Sequence, residues 1–280
     1  MDSLVSTQWL ASHLNDADLA IVDASRHLPA AKRDARAEFL AGHIPGTRFL
    51  DLESLTNPGS SVPSALPSAG QLSERLASLG ISPDLRIVIY DDSAVKTSAR
   101  AWFAMKAHGI ENVAILDGGL AKWKAENRDL EAGSSDIGGV TPAPLHPTQA
   151  VASKADMLAN CEGGAIQVVD ARGADRVFGT GIDPVHGGQN GRIPGSLNVP
   201  FGSLFAEDGT FRPQAELRAL FEDAGVDLAR PIITTCGSGV TASVVLFALE
   251  LIGKTGTRLY DGSWQEWEAD PATPKAQGPA

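Results

Sequence analysis

The chain has 280 residues, 43% hydrophobic and 20% charged, a globular composition with length for one large domain or two ordinary ones. A formal net charge of -11 argues against a nucleic-acid or anionic-membrane partner. Two cysteines, Cys161 and Cys236, make no disulfide framework, and no apolar run approaches the ~20 residues that span a bilayer.

In chain order, short apolar runs predict strands at 20–22, 48–50, 87–90 and 114–116, with helices over 70–79 and 94–108. The scheme returns with strands at 166–169, 197–199, 231–235 and 258–260, and helices over 213–224 and 242–252. Strands this short, alternating with helices, predict an α/β fold whose mostly parallel sheets carry helices on both faces. The landmarks repeat as well. Asp23 is answered by Asp170, Gly42-His-Ile-Pro-Gly46 by Gly191-Arg-Ile-Pro-Gly195, and Trp123 by Trp267, at offsets of 144–149 residues. The chain therefore reads as a duplicated domain: 1–130, a Gly/Ser/Pro-rich linker 131–149, 150–270, and a flexible tail 271–280.

The most informative stretch is Cys236-Gly-Ser-Gly-Val-Thr-Ala242, between the strand 231–235 and a helix. Gly237 and Gly239 permit a tight turn. The amides from Gly237 through Gly239, Val240 and Thr241 to Ala242 then form a bowl at a helix N-terminus, which favours negative charge. A cysteine at its centre is expected to be a reactive thiolate. At the matching place the first half has Asp91, which cannot be a sulfur nucleophile, so chemistry is expected only in the second half. A phosphatase loop would need an arginine at position 242, where this chain has alanine. Cys161 has no such bowl and reads as incidental. An exposed reactive thiol suits a reducing, cytoplasmic compartment, and the N-terminus shows no secretory pattern.

These motifs, with Asp170-Ala-Arg172, the two Ile-Pro-Gly turns and Tyr260-Asp-Gly-Ser-Trp-Gln-Glu-Trp267, resemble the tandem-domain rhodanese superfamily, in its 3-mercaptopyruvate sulfurtransferase branch. The neutral Gly-Ser-Gly loop carries the likeness to that branch, since thiosulfate-using relatives place cations after the cysteine. The resemblance implies two rhodanese-like domains and transfer of sulfur from a small thiol anion. Sulfur would pass through a Cys236 persulfide to thioredoxin, a low-molecular-weight thiol or cyanide, with no metal or organic cofactor. It implies a relay of Ser238, His43 and Asp34, with structural roles for His43 and Asp34 as the rival reading. It places a carboxylate-binding arginine at Arg176. The family's second arginine falls on Val185, and Arg192, or less readily His186, is the candidate to replace it. Otherwise the pocket holds a different donor, such as thiosulfate. Asp170 and Arg172 are expected to brace the loop after their strand, and Trp264 to pack beside the pocket.

Overall fold

Strand segments rich in Ile, Val and Leu, such as Ile87-Val-Ile-Tyr90, have no polar face, so each must be covered on both sides. In the computed structural model, which describes residues 1–134 and 138–278, they are. The first unit comprises β1 (Leu4–Val5), α1 (Thr7–His13), β2 (Leu19–Asp23), α2 (Ala35–Ala41), β3 (Thr47–Phe49), α3 (Ala69–Ser78), β4 (Arg86–Tyr90), α4 (Ser98–Ala107), β5 (Val113–Leu116) and α5 (Gly119–Ala125). The second comprises β6 (Val151–Ala152), α6 (Lys154–Gly163), β7 (Gln167–Asp170), α7 (Ala174–Phe178), β8 (Leu197–Asn198), α8 (Gln214–Asp223), β9 (Ile232–Thr235), α9 (Val240–Leu251), β10 (Thr257–Tyr260) and α10 (Ser263–Ala269).

Each unit holds one parallel five-stranded sheet, in the orders β1-β5-β4-β2-β3 and β6-β10-β9-β7-β8. Position for position the two orders are the same, which is the duplication seen in three dimensions. In the first unit Leu10, Val88, Tyr90 and Trp123 share a core; in the second Met157, Ile233, Tyr260 and Trp267 do. Among the described residues no helix is long and apolar enough to cross a membrane.

Two stretches outside the expected domains are bonded to the units beside them. The stretch read as a linker is hydrogen-bonded to the first unit: Val140 N–H donates to Ala77 at 2.9 Å, His146 to His108 at 3.1 Å and Thr148 to Ala107 at 2.8 Å. The first unit accordingly runs through Thr148 and takes in Glu207–Phe211, while Pro58–Ala65 belongs to the second. The stretch read as a flexible tail is also tied down. Ala276 pairs with Arg192 in an antiparallel bridge, and Gly278 N–H donates to Phe178 at 3.1 Å. Its apparent looseness came from composition alone, which does not register backbone pairing; positions 279 and 280 lie outside the described residues.

Candidate active site

Central β9, with its fully buried Ile232-Ile-Thr-Thr235, ends at Cys236. Asp170 of β7 stands in register with Thr235, so both loops leave the sheet at its carboxyl edge, where ligands of such folds bind. Cys236 is 2% exposed. Its N–H donates to the Ser263 hydroxyl at 3.2 Å, and its carbonyl accepts from Trp264 N–H at 2.9 Å. Gly237 accepts from Gln265 N–H at 2.9 Å. The N-terminus of α10 thus clamps the loop from below. Ser263 itself is held at φ 50°, an uncommon value for a residue with a side chain, by its bond to the Tyr260 carbonyl at 2.9 Å. Tyr260-Asp-Gly-Ser-Trp was visible in the sequence, yet the part Ser263 plays under the cysteine was not.

Gly239, at φ 79°, caps α9 and lets it begin at the next residue. Among the described residues, the amides of Gly237, Ser238, Val240, Thr241 and Ala242 have no protein acceptor, as expected of a loop and first helical turn open to an anion. Ser238 is half-buried on the same loop. The first unit supplies the contrast. There the Asp91 carboxylate accepts from Ser93 N–H at 2.7 Å and Ser98 N–H at 2.8 Å, so that loop is filled by its own side chain.

Asp170 and Arg172 form a buried pair, Oδ2 to Nη2 2.6 Å, and Arg172 Nη2 also donates to the Gly191 carbonyl at 2.7 Å. The guanidinium lies 4.9 Å from the Trp264 ring, and Trp264 Nε1 donates to Gln189 at 2.8 Å. This set ties the loop after β7 to Gly191 and Gln189 at the end of the 181–191 loop. Arg176 is gripped from one side by buried Asp183, Nε to Oδ1 3.1 Å and Nη2 to Oδ2 2.7 Å. Its Nη2 also meets His186 Nδ1 at 3.1 Å. Burial works to raise the Asp183 carboxyl, but the Arg176 fork and the Val185 amide outweigh it and leave it below the usual carboxylate range. Burial, then the Arg176 charge, pushes the His186 imidazole below its usual value, against the opposing pull of Asp183. The His186 ring occupies the space a side chain at 237 would need: a Cβ there would stand 2.3 Å from its Cε1.

Three expected site residues have structural partners of their own. His43 is wholly buried in the first unit, with Nδ1 2.8 Å from the Phe39 carbonyl, its ring stacked on Phe39 at 3.9 Å, and its backbone bridged to Glu131. It fixes the Ile-Pro-Gly turn. Asp34 is the N-cap of α2, accepting from Ala37 N–H at 3.0 Å, the commonest reason for an aspartate just before a helix. No hydrogen bond joins Asp34 to His43 among the described residues. Arg192, 5% exposed, gives Nη1 to the Gly278 carbonyl and lies 5.1 Å from the Phe178 ring, so it anchors the C-terminal segment. Val185 is exposed and apolar. Spacing had indicated who neighbours the Ile-Pro-Gly turn in sequence, but not that the far end of the chain would claim its arginine.

The profile of the rhodanese-like domain matches residues 6–126 and again 153–270. The 3-mercaptopyruvate sulfurtransferase of Mus musculus is 39% identical over 272 residues, covering 95% of this chain and 91% of its own. That of Escherichia coli strain K12 is 38% identical over 267 residues, covering 95% and 94%. The crystal structure of SseA from Escherichia coli, described as a 3-mercaptopyruvate sulfotransferase, superposes with a TM-score of 0.86 at 36% identity, covering 94% of this chain and 99% of that one.

Proposed function

Because the chain belongs to the rhodanese-like family and is a sulfurtransferase that moves sulfane sulfur, we propose that its donor is 3-mercaptopyruvate and its carrier a persulfide on Cys236. The Cys236 thiolate attacks the donor's sulfur and forms the S–S bond. The C–S bond breaks, and its electron pair passes into the enolate of pyruvate. The proton of the donor thiol ends on the methyl carbon, leaving a charged persulfide. A reduced thiol, either thioredoxin or a small one, then attacks the outer sulfur. Cyanide serves the same role in an assay. Such an acceptor fits a reducing compartment, and the cytoplasm is the one we propose.

The observation that carries this reading is the set of open amides of Gly237, Ser238, Val240, Thr241 and Ala242 around a cysteine with no cation in its loop. They stabilise a singly charged persulfide, whereas a thiosulfate dianion would find no compensating side-chain charge between Gly237 and Thr241. Ser238 shares that loop and adds a hydroxyl at its crest. Arg176, with Nε and Nη2 held by Asp183, offers Nη1 to the donor's carboxylate. The first unit is non-catalytic on this reading, since Asp91 already fills its loop. Thiosulfate is the second reading, supported by Val185 and by the commitment of Arg192 elsewhere.

The test is steady-state turnover with cyanide, comparing the two donors on wild type and Cys236→Ser. We expect kcat/KM for 3-mercaptopyruvate to exceed that for thiosulfate by at least about tenfold, a ratio set by differential transition-state binding. The substitution should abolish both activities. A preference for thiosulfate would overturn the donor assignment.

A further inference from the structure

The structure brings an imidazole to the nucleophile's loop that the sequence motifs do not require. His186 Nδ1 is 3.1 Å from Arg176 Nη2. A guanidinium nitrogen only donates, so Nδ1 is the acceptor and the ring proton sits on Nε2. Among the described residues, Nε2 has no hydrogen-bond partner, although the side chain is only 18% exposed. The ring is held at Nδ1 and along the edge facing Gly237. Asp183 accepts from the His186 backbone N–H at 3.3 Å and holds Arg176, Arg172 lies 4.0 Å from Asp183, and Gly237 lies against the imidazole edge. Gly237 follows the nucleophile directly, and a Cβ built on it would stand 3.1 Å from Nε2. A neutral, oriented N–H donor therefore stands against the residue that follows the nucleophile.

Resting on the mercaptopyruvate reading above, we propose that His186, through Nε2–H, hydrogen-bonds the keto oxygen of the donor and of the enolate that leaves. As the C–S bond breaks, its electron pair delocalises onto that oxygen. His186 keeps its proton throughout, so the step balances with the thiol proton alone. The two ends of the donor are then divided between neighbours: carboxylate to Arg176 Nη1, keto oxygen to His186. Val185, exposed and apolar, has no part in holding the donor. Asp183 acts as a positioning residue, since it holds Arg176 and the turn from which His186 projects.

Two variants and two sulfur sources test this. Rapid-quench mass spectrometry would follow addition of one sulfur atom to Cys236, from 3-mercaptopyruvate and from inorganic polysulfide, which has no oxygen to be recognised. His186→Leu should slow persulfide formation from 3-mercaptopyruvate by about 100-fold, the size of effect seen when one oxyanion donor is lost. Loading from polysulfide should stay within about twofold, since the amide bowl is untouched. His186→Gln, which restores an N–H donor, should regain at least about tenfold of the loss. An unchanged rate in His186→Leu, equal slowing with both sources, or no recovery in His186→Gln would each overturn the proposal. A wild type that accepts polysulfide sulfur but none from 3-mercaptopyruvate would overturn the donor assignment instead, and this inference with it.

Discussion

At the scale of single residues, the duplication separates sites that chemistry keeps from sites it has released. Asp170 in the second unit has a guanidinium partner in Arg172; its counterpart Asp23 has Ser25 at that position. Asp23 is 2% exposed. Burial pushes its carboxyl up to about 6; the Ser25 hydrogen bonds oppose this, and the nearby Asp91 charge adds to it. A carboxyl raised in the fold leaves stability intact below its unfolded value near 3.8 and removes it as pH rises through about 6. Asp23→Asn keeps an oxygen for Ser25 N–H, now 2.8 Å away, and removes the buried charge. Urea unfolding at neutral to alkaline pH should find the variant more stable by up to about 3 kcal/mol, at 1.36 kcal/mol per pKa unit. The gain should fade toward pH 4. A gain that persisted unchanged in acid would mean that packing, not charge, explains it.

Elements show why the two loops differ. In the first unit the left-handed turn falls at Lys96, φ 54°, and α4 begins at Ser98; in the second it falls at Gly239, φ 79°, and α9 begins at once. By the duplication offset Gly239 answers Ala94, so α9 starts earlier and brings its first-turn amides to the cysteine. Gly239→Ala should cost about 1–2 kcal/mol, the penalty of a left-handed residue with a side chain. Because the strain acts on the amide bowl, persulfide formation should fall by at least about tenfold, since one lost oxyanion donor already costs more than that. A variant with the stability loss and full activity would show that the early helix start does not matter. Buried apolar strands such as β4, and the helix α9, were legible because composition alone buries them. The edge strands β1 and β6, two residues each, were not, since neither follows a landmark such as the Ile-Pro-Gly turn that precedes the equally short β8. Nor was the Arg176–Asp183–His186 arrangement, since a Gly-rich loop leaves its side-chain partners undetermined by spacing.

At the scale of the whole molecule, the C-terminal segment has been recruited to the site it does not touch. From Thr273 to Gly278 it lies along the second unit: Trp267 Nε1 donates to Pro274 at 2.7 Å, Ala276 pairs with Arg192, and Gln277 donates to Asn190 at 3.3 Å. Gly278 meets both Arg192 and Phe178. Phe178, Asn190 and Arg192 flank the loop that holds Arg176, Asp183 and His186, so the tail works as a strap on the segment proposed to bind the donor. Ending the chain after Pro271 would leave the Arg192 guanidinium buried without its carbonyl acceptor, a loss of about 1–3 kcal/mol. The remaining chain should still fold, because the sheet order and the core cluster of Met157, Ile233, Tyr260 and Trp267 contain no strap residue, even though Trp267 Nε1 loses its Pro274 acceptor. KM for 3-mercaptopyruvate should rise by about fivefold or more, as about 1 kcal/mol of loop ordering is transferred to the binding step, while KM for cyanide stays level. Equal changes in both would mean general loosening of the unit. No change in either would show that the loop keeps its shape unaided, with Arg172 and Trp264 sufficient to hold it.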